Sequence, residues 1–294
     1  MVFQGAEAPG FEGEWLNTCG VEKNEGVILV DFWSLSCPEC QSKTAEMQEL
    51  HAERQLKVVG VHAQEFGFEH ENLEEHVDDS GIEYPVLKDH GKKTWRKYGN
   101  RKRPRQVIIK DGEVAWKDAG DSRTLSEALK DILELDEEPE LRSGGDHTPM
   151  KYLGYSKCTG INESGNFRGK RTLEMPQGRR MNEVYLSGTW KQEEDSLEAV
   201  KDAELRIKFR ASQAETVIHP DGVKKVEVRL DSAPPGEKAG SDVEDGALKA
   251  ANPGVFNVVN GAEEMQSELV LRPEKGTRLY AVAFRNTDKN FRND

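Results

Sequence analysis

The chain opens into two halves with different hydrophobic periods. Val27 to Trp33 is a continuous apolar run interrupted only by Asp31, which predicts a strand buried on both faces. It ends at a small-residue turn. From Pro38 to about Gln55, Met47 and Leu50 recur at helical spacing among Gln, Lys, Glu and Ala, and Pro38 suits the first turn of a helix. Val58 to His62 repeats the apolar run, Glu69 to Asp79 reads as a polar helix, and Tyr84 to Leu87 as a short strand after Gly81. A helix over about Lys92 to Tyr98 follows. Gln106 to Lys110 and Glu113 to Lys117 flank the turn Asp111-Gly112 as a hairpin, and a helix over about Leu125 to Leu135 closes the set. The order is βαβ, helix, hairpin, helix, the mark of an α/β unit.

Asp136 to Pro149 holds acids, two prolines, a Gly-Gly pair and almost nothing apolar, as a linker does. Beyond it the period becomes two: Ala203, Leu205, Ile207 and Phe209 alternate with Glu204, Arg206, Lys208 and Arg210. Val226, Val228 and Leu230 repeat the alternation, as do Tyr280, Val282 and Phe284. This predicts an all-β antiparallel sandwich, with Ser232 to Asn252 as a long exposed loop. The expected organisation is an α/β domain over 1–137, a linker over 138–148 and a β-sandwich domain over 149–294.

Charge narrows the function classes. With 54 acidic against 41 basic residues and a formal net charge of −13, a sequence-independent grip on nucleic acid or anionic lipid is a poor expectation. No run of about 18 apolar residues occurs, and Met1 to Gly10 lacks the basic start and apolar core of a signal peptide. The expectation is a chain without a transmembrane segment that works in the cytoplasm; a processed form of a secreted or lipid-anchored parent would look the same. Four cysteines are too few for a stapled secreted scaffold, and two of them, Cys37 and Cys40, stand at a spacing typical of redox or metal chemistry. Cys19 and Cys158 stand alone.

The sequence Cys37-Pro38-Glu39-Cys40 follows a buried strand and opens a helix. A thiol there faces unsatisfied N–H groups and the positive end of the helix dipole, so its thiolate is favoured. Cys37 is then the nucleophile toward a substrate disulfide, and Cys40, one turn further in, resolves the mixed disulfide by closing a Cys37–Cys40 bridge. Half of a zinc site is the rival reading of such a pair, but no second CxxC or compact His pair supplies the other ligands. No metal or other cofactor is therefore expected. A thiol peroxidase is the rival enzyme class; it calls for a Pro seven residues before the nucleophile, where this chain has Val30.

Val30-Asp31-Phe32-Trp33 followed by the CxxC pair resembles the active-site strand of the thioredoxin superfamily. The resemblance implies a thioredoxin fold, with Asp31 as a desolvated acid exchanging a proton with Cys40 and Trp33 packed beside the motif at the substrate side. Tyr98-Gly99-Asn100-Arg101-Lys102-Arg103-Pro104, before the Gln106 to Lys110 strand, resembles the family's cis-proline segment. It implies that Pro104, with Arg103 before it, lies opposite the cysteines and leaves backbone free to pair with substrate. Arg101, Lys102, Arg103 and Arg105 make a basic lip in an acidic chain, either beside the thiolate or simply solvated.

Ala8-Pro9-Gly10-Phe11, Val59 to Glu65 and Tyr84-Pro85-Val86 are similar to the TlpA/ResA-like branch, which implies that Glu65 is a carboxylate near the cysteines. Ala45, where many relatives carry a helix-kinking proline, and Ser36, where a bulky residue is frequent, depart from the pattern. Thr148 to Tyr155, Tyr185 to Trp190 and Leu279 to Val282 resemble the C-terminal domain of DipZ-like proteins, which implies a jelly-roll module related to carbohydrate-binding modules. Tyr152, Tyr155, Tyr185 and Trp190 are then either a sugar-stacking platform or sandwich core. The expected partners are a disulfide-containing protein client and an unidentified electron donor or acceptor. The contrasting class is a binding protein whose sandwich recognises carbohydrate or a protein.

Overall fold

The computed structural model describes residues 3–41, 43–52, 56–64, 73–101, 105–118, 123–139, 141, 147–156, 158, 161 and 166–286. The chain divides into two compact units, Met1–Ser143 and Gly144–Asp294. The linker expected over 138–148 falls partly outside the described residues. Among the described residues no helix is long and apolar enough to cross a membrane.

In the first unit, β1 (Glu14–Leu16), β2 (Val27–Trp33), β3 (Leu56–His62), β4 (Val86–Lys88), β5 (Arg105–Lys110) and β6 (Glu113–Lys117) form one sheet in the order β1-β4-β3-β2-β5-β6. The central strand β2 is parallel to β3, with Trp33 opposite His62, and antiparallel to β5, with Asp31 opposite Gln106. Alternation along β2 sorts its side chains. Leu29 and Trp33 pack with Met47, Leu50, Ile108 and Leu129 on one face, whereas Ile28, Val30 and Phe32 pack with Val61, Trp95, Tyr98 and Val107 on the other. Both faces are covered, which is why β2 reads as an unbroken apolar run.

The helices follow the expected order: α3 (Leu73–Asp79), α4 (Lys93–Lys97) and α5 (Leu125–Leu133) come after the element that begins at Pro38. The helix expected from Pro38 is described in two segments, α1 (Pro38–Gln41) and α2 (Thr44–Ala52), and the Lys43 N–H before α2 bonds to the Cys40 carbonyl three residues back. A capping box starts α5: the Thr124 hydroxyl accepts the Glu127 N–H, and the Glu127 carboxylate accepts the Thr124 N–H. Strand β1 was not expected; three residues carry too little pattern to be read.

The second unit is antiparallel β throughout its named strands: β7 (Lys151–Tyr152), β8 (Gly169–Leu173), β9 (Val184–Gln192), β10 (Leu197–His219), β11 (Lys224–Leu230), β12 (Val243–Glu244), β13 (Ala247–Ala250), β14 (Gly254–Pro273) and β15 (Arg278–Arg285). Strand β10 runs 23 residues and serves two pairings. Leu197 and Glu198 at its start pair with β9 and β15, Leu205 to Ile207 lie between β9 and β14, and after a register break between Ala211 and Gln213 the second half lies between β14 and β15. Leu205, Ile207, Phe209, Ala214 and Ile218 from both halves share one core with Val228, Leu271 and Phe284. Phe209 stacks on Phe284 of β15 with ring centroids 4.9 Å apart.

The outward positions of the same strands carry charge, as alternation requires. Glu268 takes both Arg179 and Arg206; Glu204 takes Arg206 and Arg272; Glu227 takes Arg272 and Arg229. The long exposed loop expected over Ser232 to Asn252 is corrected. This stretch contains β12 and β13, and β13 pairs with β11 and buries Leu248 and Ala250. Its Pro, Gly and acid content sets the turns and conceals a four-residue strand.

Candidate redox site

The site is built where β2 ends. Trp33 is the last strand residue, Ser34 to Ser36 make the turn, and Cys37 leads into α1. The turn is closed by the Cys37 N–H bonding to the Ser34 carbonyl at 3.0 Å and by the Ser36 N–H bonding to Ser34 Oγ at 3.2 Å. The two serine hydroxyls lie 2.8 Å apart and are buried. Small side chains at both positions let the turn sit inside the unit. It is also tied at both ends of Leu35: His62 Nε2 accepts the Leu35 N–H at 3.1 Å, and Gln41 Nε2 donates to the Leu35 carbonyl at 2.6 Å.

Cys37 and Cys40 form a disulfide, with Cα atoms 5.2 Å apart, and each residue is 3% exposed. The Cys40 N–H points at Cys37 Sγ at 3.1 Å, while it also lies 3.0 Å from the Cys37 carbonyl. A backbone donor aimed at sulfur favours the anionic form once the bridge is opened.

Asp31 stands six residues before Cys37. It shares the Leu29 and Trp33 side of β2 by alternation, which is the side on which Cys37, Cys40 and Met47 cluster. It is 3% exposed, and burial pushes its carboxyl up from 3.8 to about 6; the positive charge of Lys43 and a 3.3 Å hydrogen bond from Gln106 Nε2 oppose the rise, while Glu46 and Asp118 add to it. The carboxyl is thus poised to gain or lose a proton near neutrality.

Trp33 is 2% exposed. Its indole meets the His62 ring edge-on at 5.2 Å and lies 5.8 Å from His76, and it rests on Gly60, where a Cβ would come within 2.9 Å of Trp33 Nε1. It is therefore enclosed within the first unit, in the same core cluster as the two cysteines. Arg105, read as part of a basic lip, is instead buried and ion-paired with Asp118 at 2.5 Å, because the β5–β2 pairing carries it into the sheet. Arg101 is exposed. Glu65, Lys102, Arg103 and Pro104 lie outside the described residues.

Gln106, Glu46, Lys43 and His62 were not found from the sequence. Gln106 carried a signal in principle, since a polar residue in a buried strand opposite a buried acid needs a partner. Glu46, buried on α2, and His62 had none that spacing could reveal. In the second unit the four aromatics divide: Trp190 is core and donates its indole N–H to the Ser187 carbonyl, and Tyr185 is buried and donates its hydroxyl to Glu183, whereas Tyr152 and Tyr155 are half-buried, Tyr155 under the Arg168 guanidinium. Cys19 and Cys158 are not disulfide-bonded.

Residues 4–117 match the AhpC/TSA family, and residues 148–284 match the thioredoxin like C-terminal domain family. The Protein DipZ of Mycobacterium bovis is 26% identical over 308 residues, which cover 94% of this chain and 42% of DipZ. This chain thus spans well under half the length of that relative. Thiol-disulfide oxidoreductase ResA of Bacillus anthracis is 30% identical over 138 residues, 44% of this chain and 74% of ResA. The solved structure of a thiol:disulfide interchange protein from a Bacteroides species is 19% identical, covers 45% of this chain and 89% of its own, and has a TM-score of 0.36. The resemblance carried by the active-site strand and the CxxC pair extends over most of ResA, and the chain belongs to the thioredoxin-like thiol-disulfide oxidoreductases, as a ResA-like unit followed by a thioredoxin like C-terminal domain.

Proposed function

We propose that this chain exchanges disulfides with protein clients through Cys37 and Cys40. The observation that carries the proposal is the bridge itself, closed across the start of α1, with the Cys40 N–H aimed at Cys37 Sγ and the buried acid Asp31 on the same side of the sheet. In the reduced protein the Cys37 thiolate attacks one sulfur of a client disulfide, forms the Cys37–client disulfide and expels the other client sulfur as a thiolate, which takes up a proton. Asp31 accepts the proton of the Cys40 thiol. The Cys40 thiolate then attacks Cys37 Sγ, closes the bridge and releases the second client thiolate. Two electrons pass from the cysteine pair to the client, and an external dithiol restores the pair. Substrate positioning by Arg103 and Pro104, and a further acid at Glu65, complete this reading, with the second unit recruiting the client or the electron donor.

Equilibration in glutathione or dithiothreitol buffers, with the Cys37–Cys40 bridge followed by alkylation and mass, tests it. One two-electron transition is expected. A midpoint near or below the cytosolic poise of roughly −220 to −320 mV marks a reductant, and a much higher one an oxidant or isomerase. Cys40→Ser is expected to trap a mixed disulfide between Cys37 and a reporter such as insulin. A pair that forms no bridge at any poise overturns the proposal, and faster turnover of hydrogen peroxide than of insulin would make the chain a thiol peroxidase.

A further inference from the structure

His62 ends β3 directly opposite Trp33, the last residue before the active-site turn. Its ring is 0% exposed. Burying an imidazole is costly unless its nitrogens are satisfied, and an apolar residue would fill the same space without that cost. What the imidazole adds is an acceptor: Nε2 takes the Leu35 N–H at 3.1 Å, which places the ring proton on Nδ1. The contact spans 27 residues of sequence and joins the strand to the turn between β2 and Cys37.

Within the turn, the bonds from the Cys37 N–H to the Ser34 carbonyl and from the Ser36 N–H to Ser34 Oγ are internal, and the Ala63 N–H holds the Trp33 carbonyl just before it at 3.0 Å. Among the described residues, His62 on the N–H side and Gln41 on the carbonyl side fix the Leu35 peptides against other elements. Leu35 lies two residues before Cys37, so a shift of its peptide would be passed on to Cys37, whose Sγ stands 3.1 Å from the Cys40 N–H. The edge-on contact of His62 with Trp33 at 5.2 Å holds the imidazole in the orientation this requires.

We infer that His62 is a positioning residue for the redox centre: by accepting the Leu35 N–H it sets the placement of Cys37 over the Cys40 amide and so tunes the thiol–disulfide equilibrium. This inference rests on the redox reading above and concerns how strongly the pair holds its electrons. His62→Leu keeps the bulk and removes the acceptor; His62→Gln offers a side-chain carbonyl near the place of Nε2. Gln41→Leu releases the opposite tether.

The test measures, on the full chain, the glutathione equilibrium of the Cys37–Cys40 bridge and the rate of iodoacetamide alkylation of Cys37 in the reduced protein. His62→Leu is expected to slow alkylation at neutral pH about tenfold and to shift the equilibrium about tenfold, close to 30 mV for a two-electron couple. His62→Gln is expected to lie within about threefold of the wild type, roughly 15 mV on the same scale, and Gln41→Leu to move both readouts in the direction of His62→Leu. A role in packing alone would lower the thermal midpoint without moving either readout. Wild-type values in His62→Leu, or a folded His62→Gln as impaired as His62→Leu, overturn the inference. Where His62→Leu does not fold, unchanged readouts in Gln41→Leu overturn it. A wild-type pair that never cycles is a different result, and it defeats the redox reading first.

Discussion

Replacing Asp31 with Asn should make the first unit more stable and its chemistry slower. The carboxyl is almost completely enclosed and titrates near 6 in the fold instead of 3.8. Since the folded state binds this proton more tightly than the unfolded chain, the group favours the fold below about pH 4, and that advantage is lost as pH rises through about 6. At about 1.4 kcal/mol per pH unit, the interval from 3.8 to about 6 corresponds to a penalty of about 3 kcal/mol above neutrality. The amide of the Asp31→Asn variant would be neutral throughout and keep an oxygen for the Gln106 side chain, which now donates to Asp31 Oδ1 at 3.3 Å.

The stability of wild type and Asp31→Asn, both with the Cys37–Cys40 bridge closed, is to be compared by urea unfolding at about pH 4 and about pH 7.5, on either side of the titration. Tryptophan fluorescence reports chiefly on the first unit, which holds Trp15, Trp33, Trp95 and Trp116, whereas Trp190 lies in the second. The variant should gain up to about 3 kcal/mol at the higher pH and little at the lower. Resolution of the Cys37 mixed disulfide should slow by about a hundredfold or more, the range of a lost general base. A stability difference that is the same at both pH values refutes the desolvated-acid argument, whatever the activity does.

Two further outcomes follow from packing. Gly60→Ala would place a Cβ 2.9 Å from both Trp33 Nε1 and Tyr84 Cε2, in a wall that is already filled, and should cost about 1–3 kcal/mol in urea unfolding of the first unit; an unchanged midpoint would mean that the indole can retreat. Phe209→Ala removes a fully buried ring stacked at 4.9 Å on Phe284 and should cost about 3–5 kcal/mol, read by circular dichroism as an earlier urea transition of the β-rich second unit while the glutathione equilibrium of Cys37–Cys40 stays in place.

Much of the first unit was legible because its strands are covered on both sides or end at punctuating turns. Val27–Trp33, Asp111-Gly112 and the strand-to-helix position of the cysteines each announce themselves locally. The alternation from Ala203 to Arg210 was equally plain, since one face of that strand meets the core and the other carries the arginine and glutamate ladder. Other features were hidden for physical reasons. Strand β13 was concealed by the Pro, Gly and acidic residues around it, and Trp190 could be assigned to core only once β9 had a partner strand.

The sequence by itself determined the α/β-then-β order, a closely spaced cysteine pair at a strand-to-helix junction and Asp31 as an acid set in an apolar strand. Those properties are carried by neighbours a few residues apart, whose periodicity and chemistry are written along the chain. Only the tertiary structure decided what surrounds them: that Gln106 from β5 and Glu46 from α2 share the site with Asp31, that Trp33 is enclosed by His62, His76 and Gly60, and that the active-site turn is held from β3 through the Leu35 amide. Each of these depends on strand register and on which face a helix turns inward. A buried polar side chain takes its role from the donor, acceptor or charge brought against it by folding.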